Sequence, residues 1–449
     1  MRMLKQLQKI CWACQNTPYL RGTELQGIQY YIGRKLCTER SKSQGDQCQS
    51  LPMLKHLVSK IKSTGPISVA EYMREVLTNP VSGYYIKNNM LGEKGDFITS
   101  PEISQMFGEM LGIWCVSEWM AAGKPEVFQI VEFGPGSGSL ASDVLRVFGQ
   151  LTSILGKTLV SVHLIEVSPV LSNLQAEKLT GKENLIVGEN DAMYRQGITS
   201  LGLPVYWHRS LEDVPREFSI FLAHEFFDAL PIHKFQKTDK GWREVLVDID
   251  AKQEDKLRFV LAPSATLASS VFLKTEEGRM HIEVCPEAGI LVQRLTSRIS
   301  EDGGAALIAD YGHDGEKEDT FRGFSGHKPH DVLMAPGTAD LTADVDFCYL
   351  RRMTEGKVAS LGPVAQCKFL DNMGINIRLQ VLLRNSTDSD RQAELVHGFD
   401  MMMNPKKMGE RFKFFALLPH SRLANPEKGE TNQKRPKPPP VAGFTELKL

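Results

Sequence analysis

The sequence predicts an α/β fold built around a parallel sheet, and two observations support that prediction. From Val127 onward, buried-type apolar runs alternate with segments of helical period, which is the pattern of strands joined by helices. The first of these runs, VFQIVEF (127–133), leads directly into the glycine-rich stretch GPGSGSL (134–140). Such a turn between a strand and a helix is typical of sheets that bind a ligand at the carboxyl ends of their strands.

Short helices are predicted ahead of the sheet. Residues 53–62 and 67–77 have amphipathic spacing, and they end at the turn-rich stretches STGP and NPVSGYY. A further helix is expected to begin near Ser100, because its hydroxyl suits an N-cap and Pro101 suits the first turn. The part of the chain before the sheet is therefore expected to be helical.

The elements of the α/β region are recognised in chain order by their apolar period and their length. They are a strand at 127–133, a helix at 139–151, a strand at 161–168, a helix near 169–179, strands at 218–225 and 305–312, a helix near 390–403 and a strand at 411–419. The strands at 127–133, 161–168, 218–225 and 305–312 alternate with helices and are therefore expected to run parallel in one sheet. The helix near 390–403 and the strand at 411–419 are expected to close the globular part.

Two segments interrupt the alternation. Residues 232–285 contain short β-type pieces and predict a mostly antiparallel insertion, whereas residues 312–341 predict a long ordered loop rich in His, Asp and Gly. From Asn425 onward, the proline- and charge-rich sequence predicts a flexible tail. The predicted organisation is a leader at 1–45, an N-terminal helical region at 46–125, an α/β domain at 126–420 that contains both insertions, and a flexible tail at 421–449.

Charge is distributed unevenly along the chain. Residues 1–50 hold eight basic and three acidic residues, a charge of +5, which leaves −6 for residues 51–449 of a chain with net charge −1. In the first turns Leu4 and Leu7 fall on one helical face and Lys5 falls opposite. A basic, acid-poor, amphipathic N-terminus is typical of a mitochondrial transit peptide, and a surface helix or tail is the alternative.

Composition argues against several function classes. The mildly acidic remainder of the chain argues against bulk nucleic-acid binding. The sequence contains no uninterrupted run of eighteen apolar residues, so no membrane span is predicted. Of the eight cysteines, only Cys11 and Cys14 form a C-x-x-C pair, and no second Cys or His pair lies at metal-site spacing. No metal site is therefore expected, and the scattered cysteines favour a reducing compartment.

The stretch EFGPGSGSL (132–140) distinguishes between two kinds of ligand. A dinucleotide fingerprint needs a third glycine where this chain has Ser139, and a carboxylate at Glu132 would repel a pyrophosphate. The same carboxylate suits the ammonium group of a methionine moiety. The stretch therefore predicts S-adenosylmethionine as the ligand, and a glycine-rich turn that binds nothing is the alternative.

The remaining donor-site residues follow from this prediction. Gly134, Gly136 and Gly138 allow positive φ and let the backbone approach the ligand closely. Glu166, at the end of the second strand, is placed to accept hydrogen bonds from the ribose hydroxyls.

An acceptor site is predicted where the strand at 218–225 ends, in the stretch AHEFFDALP (223–231). If the acceptor is a guanidinium, Glu225 and Asp228 would pair with the cation and orient one of its nitrogens. The neighbouring phenylalanines would pack against its planar face. The alternatives are that Asp228 caps a turn and that His224 is a core histidine.

At this point the sequence resembles a known family, the MidA family of mitochondrial class I methyltransferases, across residues 53–420. The segments that show the resemblance are GDFITSPEISQMFGEMLGIW (95–114), EFGPGSGSL (132–140), HLIEVSP (163–169), AHEFFDALP (223–231), DYGH (310–313) and PGTADLTADVDF (336–347). The resemblance implies a class I, Rossmann-like S-adenosylmethionine-dependent methyltransferase sheet with an N-terminal helical region and a β-rich insertion.

The resemblance also implies an activity. Members of the complex I assembly factor type make symmetric (type II) dimethylarginine on an iron–sulfur core subunit of mitochondrial complex I, in the matrix, and so promote its assembly. Thr99, Ser100 and Glu102 are implied to line the same cleft as the glycine-rich turn.

Arginine specificity rests on this resemblance alone. The chain has neither the two-glutamate hairpin nor the Thr-His-Trp loop of the better-known arginine methyltransferases, and YWH at 206–208 is not that loop. His224 stands where many relatives have Asn. Two other interpretations remain open: a non-catalytic complex I assembly chaperone that keeps the methyltransferase fold, and an NAD-dependent oxidoreductase, which Glu132 and Ser139 disfavour.

Overall fold

The computed structural model describes residues 52–87, 99–181, 185–190, 192–273, 278–423 and 440–444. The predicted transit peptide at 1–45 lies outside the described residues. Of the helices that are described, none is long and apolar enough to cross a membrane.

The strands are numbered in chain order. They are β1 Ile67–Ser68, β2 Val127–Phe133, β3 Leu159–Ile165, β4 Leu185–Asn190, β5 Met193–Ile198, β6 Pro204–His208, β7 Ser219–His224, β8 His233–Thr238, β9 Gly241–Ile249, β10 Leu257–Leu261, β11 His281–Val284, β12 Gly304–His313, β13 Arg322–Ser325, β14 Lys328–His330, β15 Asp340–Thr342, β16 Val345–Asp346, β17 Ala359–Ala365 and β18 Phe412–Leu418.

The α-helices are given by their bounds. They are Pro52–Thr64, Val69–Thr78, Tyr84–Lys87, Ser100–Ile103, Gln105–Ala121, Ser139–Gln150, Thr152–Leu155, Pro169–Thr180, Leu267–Phe272, Pro286–Asp302, Phe347–Met353, Gln366–Asn372, Ile375–Asn385 and Ser389–Met403.

The central sheet has the strand order β17-β18-β12-β7-β2-β3-β6-β5-β4, with β16 added beside β12. Its five middle strands, β12, β7, β2, β3 and β6, run parallel, and the flanking strands are antiparallel. The chain enters the sheet at β2, builds outward through β3 on one side, and returns to the other side of β2 with β7. The strand order therefore reverses at β2, and in open α/β sheets ligands bind beyond the carboxyl ends of the strands at such a point.

Apolar side chains bury both faces of this sheet. One face packs against the helices Gln105–Ala121 and Ser139–Gln150, with Trp114, Phe128 and Phe148 at most 1% exposed. The opposite face packs against the helix Pro286–Asp302. The long parallel strands are buried on both sides, which explains why their sequences are continuous apolar runs.

The β-rich insertion forms a second sheet together with the N-terminal strand β1. Strands β1, β9, β8 and β11 lie in that order, β10 pairs with β9, and every pairing is antiparallel. The N-terminal helices Pro52–Thr64 and Val69–Thr78 pack on it and share one apolar cluster with it. The N-terminal region and the insertion are thus joined through a common core.

The segment predicted as a long loop at 312–341 contains regular structure. It holds the antiparallel hairpin of β13 and β14, and β15 pairs with β13 on its other side. Gly326 and His327 have φ of +56° and +61° in the hairpin turn. Two successive residues with positive φ match the twist of a tight hairpin, a signal that is weak in sequence when the second residue is not glycine.

The predicted N-cap at Ser100 is wrong. The chain forms two successive helices here, and Thr99 and Ser104 are their N-cap residues. Glu102 accepts the backbone N–H of Thr99 at 3.4 Å, and the Ser104 hydroxyl accepts that of Met106 at 3.3 Å. Ser104 is extended, with φ of −159°, so the helix restarts one turn later than the sequence pattern indicates.

Part of the predicted flexible tail is docked on the core. Val441 and Ala442 are each 2% exposed, and Phe444 packs edge-to-face on Phe369. The Asn372 side chain donates to the carbonyl of Gly443 at 2.9 Å. The short apolar stretch VAGF that follows the proline run is therefore a buried anchor, because its burial outweighs the polar composition around it.

Candidate functional site

Three turns meet at the carboxyl edge of the central sheet, close to the strand-order reversal. The donor turn, residues 134–138, follows β2, and the acceptor turn, residues 225–228, follows β7. The cap turn, residues 99–102, comes from the N-terminal region and lies against both. Together they hold most of the residues that the sequence predicted for the site.

The backbone of the donor turn has a conformation that residues with side chains rarely adopt. Gly134, Gly136 and Gly138 have φ of +56°, +54° and +79°, all in the left-handed region. A Cβ on Gly134 would lie 2.9 Å from the ring of Phe226, and one on Gly138 would lie 3.5 Å from Gln175. Gly134 thus packs tightly against Phe226, whereas a Cβ at Gly138 would make only an ordinary contact with Gln175.

Glu166 is fixed beside the donor turn by a network that the sequence did not reveal. Its Oε1 accepts the backbone N–H of Ser168 at 2.7 Å, and its Oε2 accepts from the Gln175 amide at 3.0 Å. The same amide donates to the carbonyl of Gly136 at 2.8 Å, and the Gln175 oxygen accepts from Trp207 at 3.0 Å. Gln175 thereby connects the predicted ribose acceptor to the glycine-rich turn.

This network leaves Glu166 suited to bind a ribose. A carboxylate has about four lone-pair sites, so the two bonds it already accepts leave room for two hydroxyls. Burial raises the pKa of Glu166, and the hydrogen bonds from Ser168 and Gln175 partly offset that rise. The signal for Gln175 was a polar residue on the buried face of the helix Pro169–Thr180, where it is fully buried.

Glu132 lies deeper than its predicted role requires. It is 3% exposed in β2, and its Oε2 has no hydrogen-bond partner among the described residues. Burial, together with the charge of Asp143, raises the pKa of Glu132 to about 8, so this carboxyl is mostly protonated at neutral pH. Charge attraction to an ammonium would therefore require the ligand to promote its ionisation.

The cap turn contacts the donor turn directly. Ser137 donates its hydroxyl hydrogen to Glu102 at 3.0 Å, and Ser137 and Ser139 share a hydrogen bond of 2.8 Å. Lys178 donates to Ser139 at 2.7 Å. The structure thus brings Glu102, together with Thr99 at the start of the same turn, to the glycine-rich loop.

Asp310, on β12, holds the acceptor turn in place. Its Oδ2 accepts the backbone N–H groups of Phe226, Phe227 and Asp228 at 3.1, 2.9 and 3.3 Å. Glu225 at the start of the turn has φ of +48°, which is unusual for a residue with a side chain. A fully buried carboxylate therefore stabilises a strained turn.

The acceptor turn brings several carboxyl groups close together. Burial, and after it the charges of nearby acids, raises the pKa of Glu225 and of Asp228 well above their usual ranges, and the first of these acids for Glu225 is Asp228. For Asp228 these acids are Asp310, then Asp340 and Asp344, whereas the guanidinium of Arg322 acts in the opposite direction. Such a pocket is electrostatically suited to a cation that arrives with its substrate.

His224 is packed as a core histidine beside the carboxyls of the acceptor turn. Its ring lies 4.8 Å from that of Phe107 and stacks on Phe412 at 6.0 Å. Burial lowers the pKa of His224 to about 3, so the imidazole is neutral. Its Nε2 lies 3.4 Å from Oε1 of Glu225, so this nitrogen is next to the acceptor turn.

The described residues contain no group of three or more His, Cys, Asp or Glu side chains arranged to hold a metal ion. The arrangement does combine a glycine cradle, a carboxylate placed for a ribose and an acidic acceptor pocket at one sheet edge. That combination fits S-adenosylmethionine beside a basic acceptor better than it fits a dinucleotide.

Comparison with known families decides the first half of that interpretation. A family model described as an S-adenosyl-L-methionine-dependent methyltransferase matches residues 110–364, more than half of the chain. The chain belongs to this methyltransferase family. The match spans the sheet from β2 to β17 and contains both the donor turn and the acceptor turn.

The methyltransferase is also similar to curated relatives over most of its length. Two relatives are named protein arginine methyltransferase NDUFAF7, mitochondrial. The one from Danio rerio is 63% identical over 92% of this chain and 96% of the relative, and the one from Homo sapiens is 62% identical over 88% and 90%. A relative from Drosophila melanogaster, named as the homolog of the same protein, is 49% identical over 88% of each chain.

A solved structure of similar fold has a bound ligand. The methyltransferase is 25% identical to a superfamily member from Burkholderia thailandensis, described as a methyl transferase and crystallised with S-adenosyl-homocysteine, with a TM-score of 0.66 over 84% of this chain and 95% of that one. The predicted family, fold class and methyl donor are thereby confirmed. The roles of individual site residues stay predictions.

Proposed function

We propose that this methyltransferase transfers methyl groups from S-adenosylmethionine to an arginine of a protein substrate in the mitochondrial matrix. The names of the relatives support arginine as the acceptor and mitochondria as the compartment. The family resemblance further suggests symmetric dimethylation of an iron–sulfur core subunit of complex I and a role in assembling that complex. The proposed catalytic domain is 126–420, preceded by a transit peptide at 1–45 and a helical region at 46–125.

The observation that supports an arginine acceptor is that Glu225, whose side chain is 17% exposed, and Asp228, which is 5% exposed, lie on one strained turn. Both carboxyls have pKa values well above their usual ranges because the site offers them little water and several neighbouring acids. A bound guanidinium would favour the ionised form of both carboxyls. Its planar set of N–H donors would then form hydrogen bonds to both carboxylates. Phe226 belongs to the same turn, is partly exposed and lies against Gly134. Its ring would pack on the planar face of the guanidinium.

The proposed donor site consists of Gly134, Gly136, Gly138 and Glu166, with Glu132 and the cap turn residues Thr99, Ser100 and Glu102 around it. When bound there, S-adenosylmethionine supplies an electrophilic methyl group on a sulfonium sulfur. The acceptor turn orients the arginine nitrogen that forms the new N–C bond as the S–C bond breaks. The guanidinium loses one proton in this step, and Asp228 or Glu225 accepts it and passes it to solvent.

Isotopic methyl transfer onto isolated complex I assembly intermediates tests this proposal. The full-length protein should label an arginine, and Asp228→Asn should bind S-adenosylmethionine normally while its turnover falls by about a hundredfold, since positioned charge is worth that much in a desolvated site. Label at near wild-type rate in Asp228→Asn would show that Asp228 only caps the turn. Binding of the donor without any transfer by the wild-type protein would instead support the assembly chaperone.

A reporter fusion tests the compartment. A fluorescent protein that carries residues 1–50 should enter mitochondria, with cleavage between about residues 30 and 46, as expected for a basic amphipathic leader. A reporter that stays in the cytosol would contradict the proposed matrix location.

A further inference from the structure

Tyr85 and Asp340 lie beside the acceptor turn although neither belongs to the central sheet. Tyr85 is in the short helix Tyr84–Lys87, and Asp340 begins β15. The Tyr85 hydroxyl donates to Oδ1 of Asp340 at 2.6 Å, and Asp340 is 5% exposed. A hydrogen bond therefore joins the N-terminal region to the segment 312–341 at this point.

Backbone contacts place this pair against the acceptor turn. The N–H of Ala343, three residues beyond Asp340, donates to the carbonyl of Asp228 at 2.9 Å. The Asp340 charge raises the pKa of both Asp228 and Glu225, and the pKa of Tyr85 is raised by burial and then by Asp340 and Asp228. The Asp340 carboxyl is thus close enough to act on both proposed acceptor carboxyls.

Buried polar atoms without hydrogen-bond partners among the described residues cluster around the same turn. Nε2 of His224, whose side chain is 7% exposed, and Oγ of Ser100, a fully buried residue, make no hydrogen bond to any described residue. Oε1 of Glu225 likewise accepts no hydrogen bond there, although His224 Nε2 lies 3.4 Å away. Buried polar atoms are rarely left unsatisfied, so their clustering is best explained by a polar group that binds among them.

We propose that Asp340, oriented by Tyr85, is a third carboxylate of the acceptor pocket and binds the substrate guanidinium together with Asp228 and Glu225. This inference rests on the proposed arginine acceptor. A guanidinium has five donors in a planar fork, so carboxylates on different sides of it can each accept from a separate edge. The segment 312–341 would then contribute directly to the recognition of the acceptor, while the donor site remains on β2 and β3.

Two variants and one matched control test the proposal in the full-length protein. Asp340→Asn and Tyr85→Phe should each raise KM for the complex I intermediates by about tenfold and change kcat much less. Their affinity for S-adenosylmethionine, measured by calorimetry, should stay at the wild-type value. The control is Tyr72→Phe, because Tyr72 donates its hydroxyl to the carbonyl of Val332 at 2.6 Å and so ties the N-terminal region to the same segment away from the carboxylates.

The outcomes separate this inference from the function it rests on. A wild-type protein that moves no methyl group to arginine overturns the proposed function. A wild-type protein that is active, with unchanged KM in Tyr85→Phe, overturns the inference alone. An equal rise of KM in Tyr72→Phe would also overturn it, since a purely structural tie would then account for the effect. If Asp340→Asn does not fold, Tyr85→Phe decides the question by the same KM measurement.

Discussion

Replacing Asp310 by alanine tests whether one carboxylate holds the acceptor turn. Asp310 accepts three backbone N–H groups, and the two shorter bonds, to Phe227 and Phe226, are 2.9 and 3.1 Å long. Each buried N–H that loses its acceptor costs about 1–3 kcal/mol. Counting only these two, Asp310→Ala should lower the free energy of unfolding by about 2–6 kcal/mol, a large fraction of the roughly 5–15 kcal/mol of a typical domain.

The loss should depend on pH in a defined direction. Burial, and then the charge of Glu225, raises the pKa of Asp310 from 3.8 to about 7. A carboxyl with a raised pKa holds its proton longer in the folded protein than in the unfolded chain, so its contribution to stability falls as pH rises from about 4 to about 7. Alanine does not titrate, and the stability difference between Asp310→Ala and wild type should therefore shrink over that range.

Urea unfolding at pH 5 and pH 8 measures both effects. Asp143→Ala is the control, because burial also raises the pKa of Asp143 to about 7, but its Oδ1 accepts from the Arg146 side chain rather than from a backbone turn. The control should lose less stability than Asp310→Ala at pH 5. An Asp310→Ala protein as stable as wild type at pH 5 would refute the assignment of Asp310 as the residue that holds the turn.

Three further predictions address the donor site and the docked tail. Gly136→Val should abolish S-adenosylmethionine binding in calorimetry while circular dichroism shows a retained fold, because φ is +54° at that glycine. Glu166→Ala should weaken the same binding by about 1–3 kcal/mol through lost hydrogen bonds, and unchanged affinity would exclude its ribose role. Deleting residues 440–449 should lower stability by about 2–3 kcal/mol through exposure of the apolar sites covered by Val441 and Ala442. Thermal unfolding measures that loss, and an unchanged Tm would show that the docked stretch is not an anchor.

Local patterns in the sequence were sufficient for the parallel strands β2, β3, β7 and β12 and for the donor turn, but not for β6, for the hairpin of β13 and β14 or for the N-cap at Thr99. The apolar run of β2, the glycines after it and the acid after β3 are close in sequence, and the roles predicted for them rest on strand and turn geometry alone. Such short-range signals therefore predicted the class of fold and the ligand. β7 pairs in parallel with β2, as expected for strands that alternate with helices in one sheet.

Residues that act across long sequence distances could not be found in the same way. Asp310 holds a turn 82–84 residues away only because β12 pairs with β7, with Ala309 opposite His224. Tyr85 and Asp340 are separated by 255 residues, and their contact depends on how two segments outside the sheet pack together. Gln175 is a buried polar residue of the helix Pro169–Thr180. Its importance becomes visible only from its hydrogen bond to Glu166.

The energetic cost of the acceptor turn argues against a purely structural function. A residue with φ of +48° that is not glycine costs about 1–3 kcal/mol, and Glu225 is held there by the contacts of its neighbours with Asp310. Several carboxyls are buried together at the same turn, although burial and mutual repulsion both oppose their ionisation. A chaperone that used this fold only as a scaffold would gain stability by replacing them with apolar residues, since buried charges are often neutral or costly for folding. A turn that is both strained and acidic is what a binding site for a cationic substrate requires, because the bound cation then supplies the compensation that the free protein lacks.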